Sequence, residues 1–320
     1  MDVLNKSKMK QLLIIIFILI AGGAKGYTKD FDYSHIAPHP RLLLKEGEER
    51  NIHIALQKST VLQAFHKRIL DYCDETLKEA PVKRIKEGKR LLGVSRIVLK
   101  RVFYLSYAYR MTGEKEYLRR AEKEMLAAAS FIDWNPSHFL DVSEMSMGLA
   151  IGYDWLFNEL LPDSRKKIRQ AIVEKAIEAS KTKHASFYQS RTNWNQVCNG
   201  GLVCSALAIY EDEPEKTKEI INKALQTVPL ALECYAPDGG YPEGFGYWSY
   251  GTSYQVMLND ALESSLGHDA GLSDYPGFLQ SAQYIQYMTA PTGDCFNFSD
   301  ASPKAYGNIM MFWFAHKTKN

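Results

Sequence analysis

Apolar residues recur at helical spacing through nearly the whole chain, from about Glu46 onward. Leu202, Ala206 and Ile209, for example, lie on one face of a helix, because steps of three and four residues return to the same side. No run of alternating apolar and polar residues predicts a convincing β-sheet. The pattern therefore predicts an all-α protein, with helices over 46–58, 60–79, 92–111, 114–131, 138–159, 162–182, 195–210, 214–234 and 250–267.

Short turns separate these predicted helices. Thr112-Gly113 ends one helix before Glu114 opens the next, and Pro162 and Pro214 stand at helix starts, where proline is favoured. Helices joined in this way form antiparallel pairs that pack in layers. Two architectures are compatible with the pattern, an open solenoid and a closed (α/α) toroid. The sequence has no fixed-period repeat, which counts against a consensus solenoid.

The first 26 residues have the pattern of an export signal. Lys6, Lys8 and Lys10 precede the apolar run 11–20, and small residues follow at 21–24. The run is shorter than the roughly 20 apolar residues of a membrane-spanning helix. We therefore expect a signal peptide over 1–26, a single domain over 27–320, and a periplasmic or secreted protein with no membrane span after signal removal.

The bulk composition excludes several classes of protein. Of the 320 residues, 46% are hydrophobic and 24% are charged, which is enough for a substantial core. A net charge of +2 provides no overall attraction for nucleic acid, and we interpret the basic run 83–90 as a solvated surface. The five cysteines are scattered and odd in number, so we expect free thiols. No motif predicts a metal or another cofactor.

Two glycine-rich loops interrupt the predicted helices. The first is residues 191–201, and the second is residues 237–251. Both combine a permissive backbone with amide, carboxylate and aromatic side chains, a composition typical of loops that form a functional site. Neither has the Lys and Ser/Thr of a phosphate-binding loop. The two loops therefore predict the location of the site.

These loops resemble those of the heparinase II/III and alginate lyase group of polysaccharide lyases. The similar segments are Asn193-Trp-Asn-Gln196 with Asn199-Gly-Gly201, and Asp238-Gly-Gly-Tyr-Pro-Glu-Gly-Phe-Gly-Tyr247; the stretches 39–44 and 138–155 fit as well. The resemblance implies an incomplete (α/α) toroid followed by a β-sandwich domain. It also implies cleavage of uronate-containing polysaccharides by β-elimination.

The chain departs from this group in two respects. Gln196 stands where the alginate lyases have histidine, which leaves the substrate open. No β-sandwich segment follows the helical part, so we interpret that domain as missing. The apolar run 309–316 is then either an element cut short, which we favour, or a terminal helix packed on the domain.

The amides of the first loop suit the carboxylate chemistry of β-elimination. Removal of the proton next to a uronate carboxylate places more negative charge on that carboxylate, and hydrogen-bond donors must stabilise it. Asn195 and Gln196 are our first choices for this role, and Asn193 and Asn199 are our second. The alternative is that these amides cap the following helix and hold the loop.

Tyr247 matches the family's tyrosine, and we expect it to donate a proton to the leaving oxygen. A free tyrosine has a pKa of about 10, which suits protonation of an alkoxide-like group. Five other positions are candidate substrate-binding residues with structural alternatives. Glu243 can bind a sugar hydroxyl or fix its loop, and Arg191 can bind a sulfate or uronate or form a surface ion pair. The candidates for stacking on sugar rings, or for ordinary packing, are Trp194, Trp248 and Tyr250.

Two other functions are compatible with the sequence. A glycoside hydrolase on a similar toroid requires a pair of carboxyl groups, for which Asp238 and Glu243 are candidates. A non-catalytic glycan-binding or remnant domain requires only the binding surface. The pairing of amides with a tyrosine favours elimination. The expected ligand in each case is a polysaccharide, acidic in the case of a lyase, such as a glycosaminoglycan or alginate.

Overall fold

A computed structural model describes residues 31–319, and this part of the chain is all-helical without a β-strand. The predicted all-α class is therefore confirmed, whereas the predicted signal peptide lies outside the described residues. The α-helices of the described part are α1 (Glu49–Lys58), α2 (Thr60–Lys78), α3 (Leu92–Thr112), α4 (Lys115–Ala129), α5 (Phe139–Trp155), α6 (Pro162–Ile172), α7 (Asn193–Ala208), α8 (Pro214–Leu232), α9 (Gly244–Leu266), α10 (Ser281–Tyr287) and α11 (Met310–Thr318).

Most predicted helices occur close to their expected bounds. The predicted segment 162–182 continues beyond α6 as a π-helical turn, Val173–Ile177, and a short 3-10 helix, Ala179–Lys181. The largest difference is at α9, which begins at Gly244 rather than at 250. Most of the apolar run 309–316 forms α11, whose Phe314 is buried.

The helices are arranged in two layers. The first layer consists of α3, α5, α7 and α9, each packed against the next, and α2, α4, α6 and α8 pack against it as a second layer. The helices of the first layer run in the same direction, because their corresponding ends are in contact. The Ser95 hydroxyl near the start of α3 donates to the carbonyl of Asp141 near the start of α5, at 2.7 Å. All four first-layer helices therefore begin at one end of the layer.

The central helix of the first layer, α5, is buried along its whole length. This follows from its sequence, which is apolar on every side and so has no face suited to solvent. Its few charged residues are consequently buried and need partners. One of them, Asp154, is fully buried and accepts hydrogen bonds from the backbone amides of Arg41 and Leu42, at 2.8–3.1 Å. Asp154 thereby fixes the extended N-terminal segment onto the end of α5.

The contact between α5 and α7 depends on Gly201. A Cβ atom at this position would lie 2.3 Å from the carbonyl oxygen of Ser143. We therefore expect Gly201→Ala to lower the free energy of unfolding by about 1–3 kcal/mol or more, because the two helices must separate to admit the methyl group. Urea denaturation measures this effect. Gly246→Ala is the control, since nothing lies within 4 Å of its added Cβ; equal stability of the two variants would contradict the close packing.

Two further sequence predictions concern thiols and membranes. All five cysteines lie within the described part of the chain and are free thiols, as predicted, and four of them are buried. No helix among residues 31–319 combines the length and apolar character needed to cross a membrane.

Candidate active site

The common starting end of the first-layer helices brings together polar residues from four separate parts of the sequence. Arg96 lies near the start of α3, Glu144 near the start of α5, Asn193 at the start of α7 and Tyr250 in the second turn of α9. Helix N-termini carry a partial positive charge because their first amide groups lack partners within the helix. This end of the layer is therefore suited to an anionic ligand.

Glu144 is the buried centre of this region. It is 2% exposed, and both carboxylate oxygens accept from Nε of Arg96 at 3.2 Å, while the hydroxyl of Tyr250 donates to Oε1 at 2.5 Å. Burial raises the pKa of Glu144, and the charge of Arg96 and the bond from Tyr250 oppose that rise. Burial, together with the nearby carboxylate, also raises the pKa of Tyr250. Tyr250 is thus held as a neutral hydroxyl that donates to Glu144.

Arg96 is the accessible cation of this group. Its side chain is 53% exposed although it is bound to Glu144, and its guanidinium lies 5.3 Å from the ring centroid of Tyr250. The planar guanidinium has five N–H groups, so one interaction with Glu144 leaves donors for a second anion. Arg96 can therefore bind a carboxylate or sulfate while it remains fixed by the protein.

The two glycine-rich loops contact each other through Asn193 and Glu243. The amide of Asn193 donates to Oε2 of Glu243 at 3.0 Å. The Oδ1 atom of Asn193 is buried and has no hydrogen-bond partner among residues 31–319. Gly251 allows this approach, because a Cβ there would lie 3.1 Å from Cβ of Asn193 and 2.4 Å from Oε1 of Gln196. The loops that the sequence predicted as the site do meet.

Tyr247 lies on the same side of α9 as these contacts. It precedes Tyr250 and Gly251 by three and four residues, and side chains at these spacings share one helix face. Its ring is half-buried against the core, and its hydroxyl has no hydrogen-bond partner in the described part of the chain. Tyr247 therefore has a fixed ring and a hydroxyl that is free to bind a ligand.

Asn195 occupies a different environment from Asn193. It is fully buried, and its amide donates to the backbone carbonyls of Ser190 at 3.0 Å and Thr227 at 2.9 Å. Both amide hydrogens are thereby used to join α7 to α8, which leaves none for a substrate carboxylate. Asn195 therefore has the structural role that the sequence left as the alternative, whereas Asn193, which is 2% exposed, has one described hydrogen bond, to Glu243.

Gln196 and Asn199 are also interior residues. Nε2 of the fully buried Gln196 donates to the hydroxyl of Tyr235 at 2.9 Å, and the hydroxyl of Tyr241 donates to its Oε1 at 3.4 Å. Asn199 donates to Oδ1 of Asn195 at 2.9 Å. The contacts of Gln196 hold α7 to the segment before α9, and the contact of Asn199 lies within α7. Both amides therefore have a role in holding the structure together, as the alternative to substrate binding predicted.

The remaining predicted residues divide into two groups. Trp194 is half-buried with its ring centroid 5.0 Å from that of His138, so it borders the starting end of the layer. Trp248, by contrast, is fully buried against α11 and cannot stack on a sugar. Arg191 forms an exposed ion pair with Glu233 at 2.6 Å, which is the alternative to binding a sulfate or uronate.

The sequence reasoning missed the pair formed by Arg96 and Glu144. One signal was present: Glu144 is a charged residue in a segment that is otherwise almost wholly apolar, and such residues are rarely buried without a function or a partner. Nothing in the sequence pointed to Arg96, which lies 48 positions earlier. Its role depends on the alignment of α3 with α5.

No protein-family model matches the chain, and a search of curated proteins finds no significant match. Among residues 31–319, no three His, Cys, Asp or Glu side chains are grouped as metal ligands. The functional assignment therefore depends on the side chains described above.

Proposed function

We propose that this protein is an exported polysaccharide lyase, or the helical domain of one, that cleaves a uronate-containing polysaccharide by β-elimination. A glycosaminoglycan or alginate is the expected class of substrate. The observation that carries the proposal is the contact between Asn193 and Glu243, which joins the two glycine-rich loops on the same side of α9 as the free hydroxyl of Tyr247. Donors for an anion and a proton donor are thereby combined at one end of the helical layer.

The first requirement of β-elimination is to neutralise the uronate carboxylate. Arg96 supplies a full positive charge, and the starting ends of the four first-layer helices add partial charges of the same sign. Preorganised donors of this kind stabilise charge that develops in the transition state. In this proposal Arg96 binds the carboxylate, and Asn193 replaces Asn195 as the amide that assists it.

The second requirement is a proton acceptor for the α-proton and a donor for the leaving oxygen. We assign the donor to Tyr247, whose hydroxyl is free. His138 is the acceptor that the geometry favours, because its Nδ1 is bound to the buried carboxylate of Asp141 at 2.6 Å. A carboxylate at Nδ1 fixes the ring and leaves Nε2 as the nitrogen that can accept a proton. Trp194, which borders His138, is then the stacking surface for a sugar ring.

We also propose that the two helical layers belong to an incomplete (α/α) toroid. One cavity supports this proposal, since it is lined both by Tyr104 of α3 and by Ile309, which immediately precedes α11. Because α11 packs on α9 at one edge of the first layer, this cavity is lined both from that edge and from α3 at the opposite edge. A flat layer would keep these two edges apart, so the shared cavity supports a layer that curves into a ring.

The decisive assay follows ultraviolet absorbance while the protein acts on heparin, chondroitin sulfate or alginate. Elimination creates a double bond conjugated with the uronate carboxylate, and we expect absorbance to rise with at least one of these substrates. Reducing ends that appear without any absorbance would instead identify a glycoside hydrolase. Binding without new reducing ends would identify a non-catalytic glycan-binding domain.

A further inference from the structure

The cavity that Tyr104 and Ile309 line has a volume of about 510 Å³ and lies mainly between α2 and α3. The cavity extends toward the end of the first layer at which its helices terminate. Its lining includes Trp155, the last residue of α5, and Tyr107, which lies in the second half of α3. Its lining starts at Lys100, one helical turn after Arg96, and extends from there away from the end at which Arg96, Asn193 and Tyr247 lie. Its volume is within the roughly 300–1,000 Å³ typical of small-molecule sites.

The walls of this cavity are mainly aromatic and are held in place by other contacts. The hydroxyl of Tyr107 is hydrogen-bonded to Nδ1 of His66 at 2.9 Å. Nε1 of Trp155 donates to the carbonyl of Leu42 at 2.7 Å. The rings of Tyr72 and Tyr104 pack edge to face, 5.5 Å apart, and Phe65 and Phe103 complete the six aromatic side chains of the lining. These contacts preform the cavity before any ligand binds.

Two cations, Arg68 and Lys100, accompany the aromatic rings, and no acidic side chain lines the cavity. Nζ of Lys100 lies 4.0 Å from the ring centroid of Tyr72, a cation–π contact that holds the ammonium at the cavity. Within residues 31–319, neither cation forms an ion pair, whereas the neighbouring Lys67 and Asp71 pair with each other at 2.7 Å. The cavity therefore has uncompensated positive charge.

We propose that this cavity binds an acidic sugar unit, with its ring against the tyrosines and its carboxylate or sulfate at Lys100 and Arg68. Sugar rings present C–H faces that pack on aromatic rings, and the hydroxyl groups of tyrosine supply polar contacts. A purely apolar ligand would leave both cations without a partner. The inference takes its ligand class from the proposed function and adds a binding subsite that lies farther along α3 than Arg96.

The test compares Lys100→Met with Lys123→Met, which removes an exposed lysine of α4 instead. Calorimetry at low ionic strength measures the binding of tetrasaccharides prepared from heparin and from alginate, with the neutral cellotetraose as a further probe. We expect Lys100→Met to weaken acidic tetrasaccharide binding about tenfold, because a charge-assisted contact is lost. Lys123→Met is expected to bind as the unchanged protein does, and cellotetraose is expected to bind more weakly than the acidic probes.

Equal binding of the acidic tetrasaccharides by the two variants would overturn the inference, even if the protein cleaves polysaccharide. Equal affinity for cellotetraose and the acidic tetrasaccharides would also overturn it, since it would show that charge is not recognised. Binding that depends on Lys100 but is never followed by cleavage would support the subsite and reject the lyase proposal. The two proposals can therefore fail separately.

Discussion

Replacement of Tyr247 by phenylalanine is expected to reduce the turnover of an acidic polysaccharide by about 100- to 10,000-fold. The change removes one hydroxyl, which we assign to protonation of the leaving oxygen, and it keeps the ring that packs against the core. Since that hydroxyl has no partner among residues 31–319, its loss breaks no described hydrogen bond. The thermal unfolding midpoint is therefore expected to stay unchanged, and substrate binding to change little.

The matched control is Tyr287→Phe, which removes the hydroxyl of a tyrosine that is 87% exposed and distant in sequence from either loop. Initial rates of ultraviolet absorbance measure kcat and KM for both variants. Full turnover by Tyr247→Phe would reject the assignment of the proton donor. A higher KM with an unchanged kcat would instead make Tyr247 a substrate-binding residue.

Replacement of Asp154 by alanine is expected to lower the free energy of unfolding by about 3–5 kcal/mol. Its carboxylate accepts from the backbone amides of Arg41 and Leu42 and from Nδ1 of His39, at 2.5–3.1 Å. All three groups are buried or nearly so, and they would lose their partner without gaining water. The N-terminal segment would consequently detach from the end of α5.

Urea or thermal denaturation measures this loss, with Asp300→Ala as the control because Asp300 is exposed. Surface changes of that kind typically alter stability by less than about 0.5 kcal/mol. Asp154→Asn, which keeps the shape but replaces one acceptor oxygen by a donor, is expected to fall between the two. A stability of Asp154→Ala within the range of the control would show that the N-terminal segment is not anchored there.

The helical pattern predicted the fold class and most helix positions, because apolar spacing reflects which face of each segment is buried. It failed at residues 244–249, where Gly244 and Gly246 suggested a loop. In the structure this segment is the first part of α9. The same helix also contains Gly251, where the tight contact with Asn193 and Gln196 requires a small residue. Tertiary packing thus outweighed the low helical propensity of glycine.

The candidate site was predicted in part. The two loops were identified from composition, and Asn193, Glu243 and Tyr247 were named. The choice between Asn193 and Asn195 could not be made, because both belong to one short motif and the difference is which side of α7 each residue faces. Arg96 was missed for a related reason: its partner Glu144 is on another helix, and only the alignment of α3 with α5 brings the two side chains within 3.2 Å.

The sequence alone determined the helical class, the approximate helix bounds and the two loops, since each of these depends on the order of neighbouring residues. The tertiary structure decided which polar side chains point into the interior and which reach the starting end of the layer. That division depends on the direction and rotation of each helix relative to its neighbours. Packing between residues far apart in sequence determines those quantities, so local patterns do not contain them.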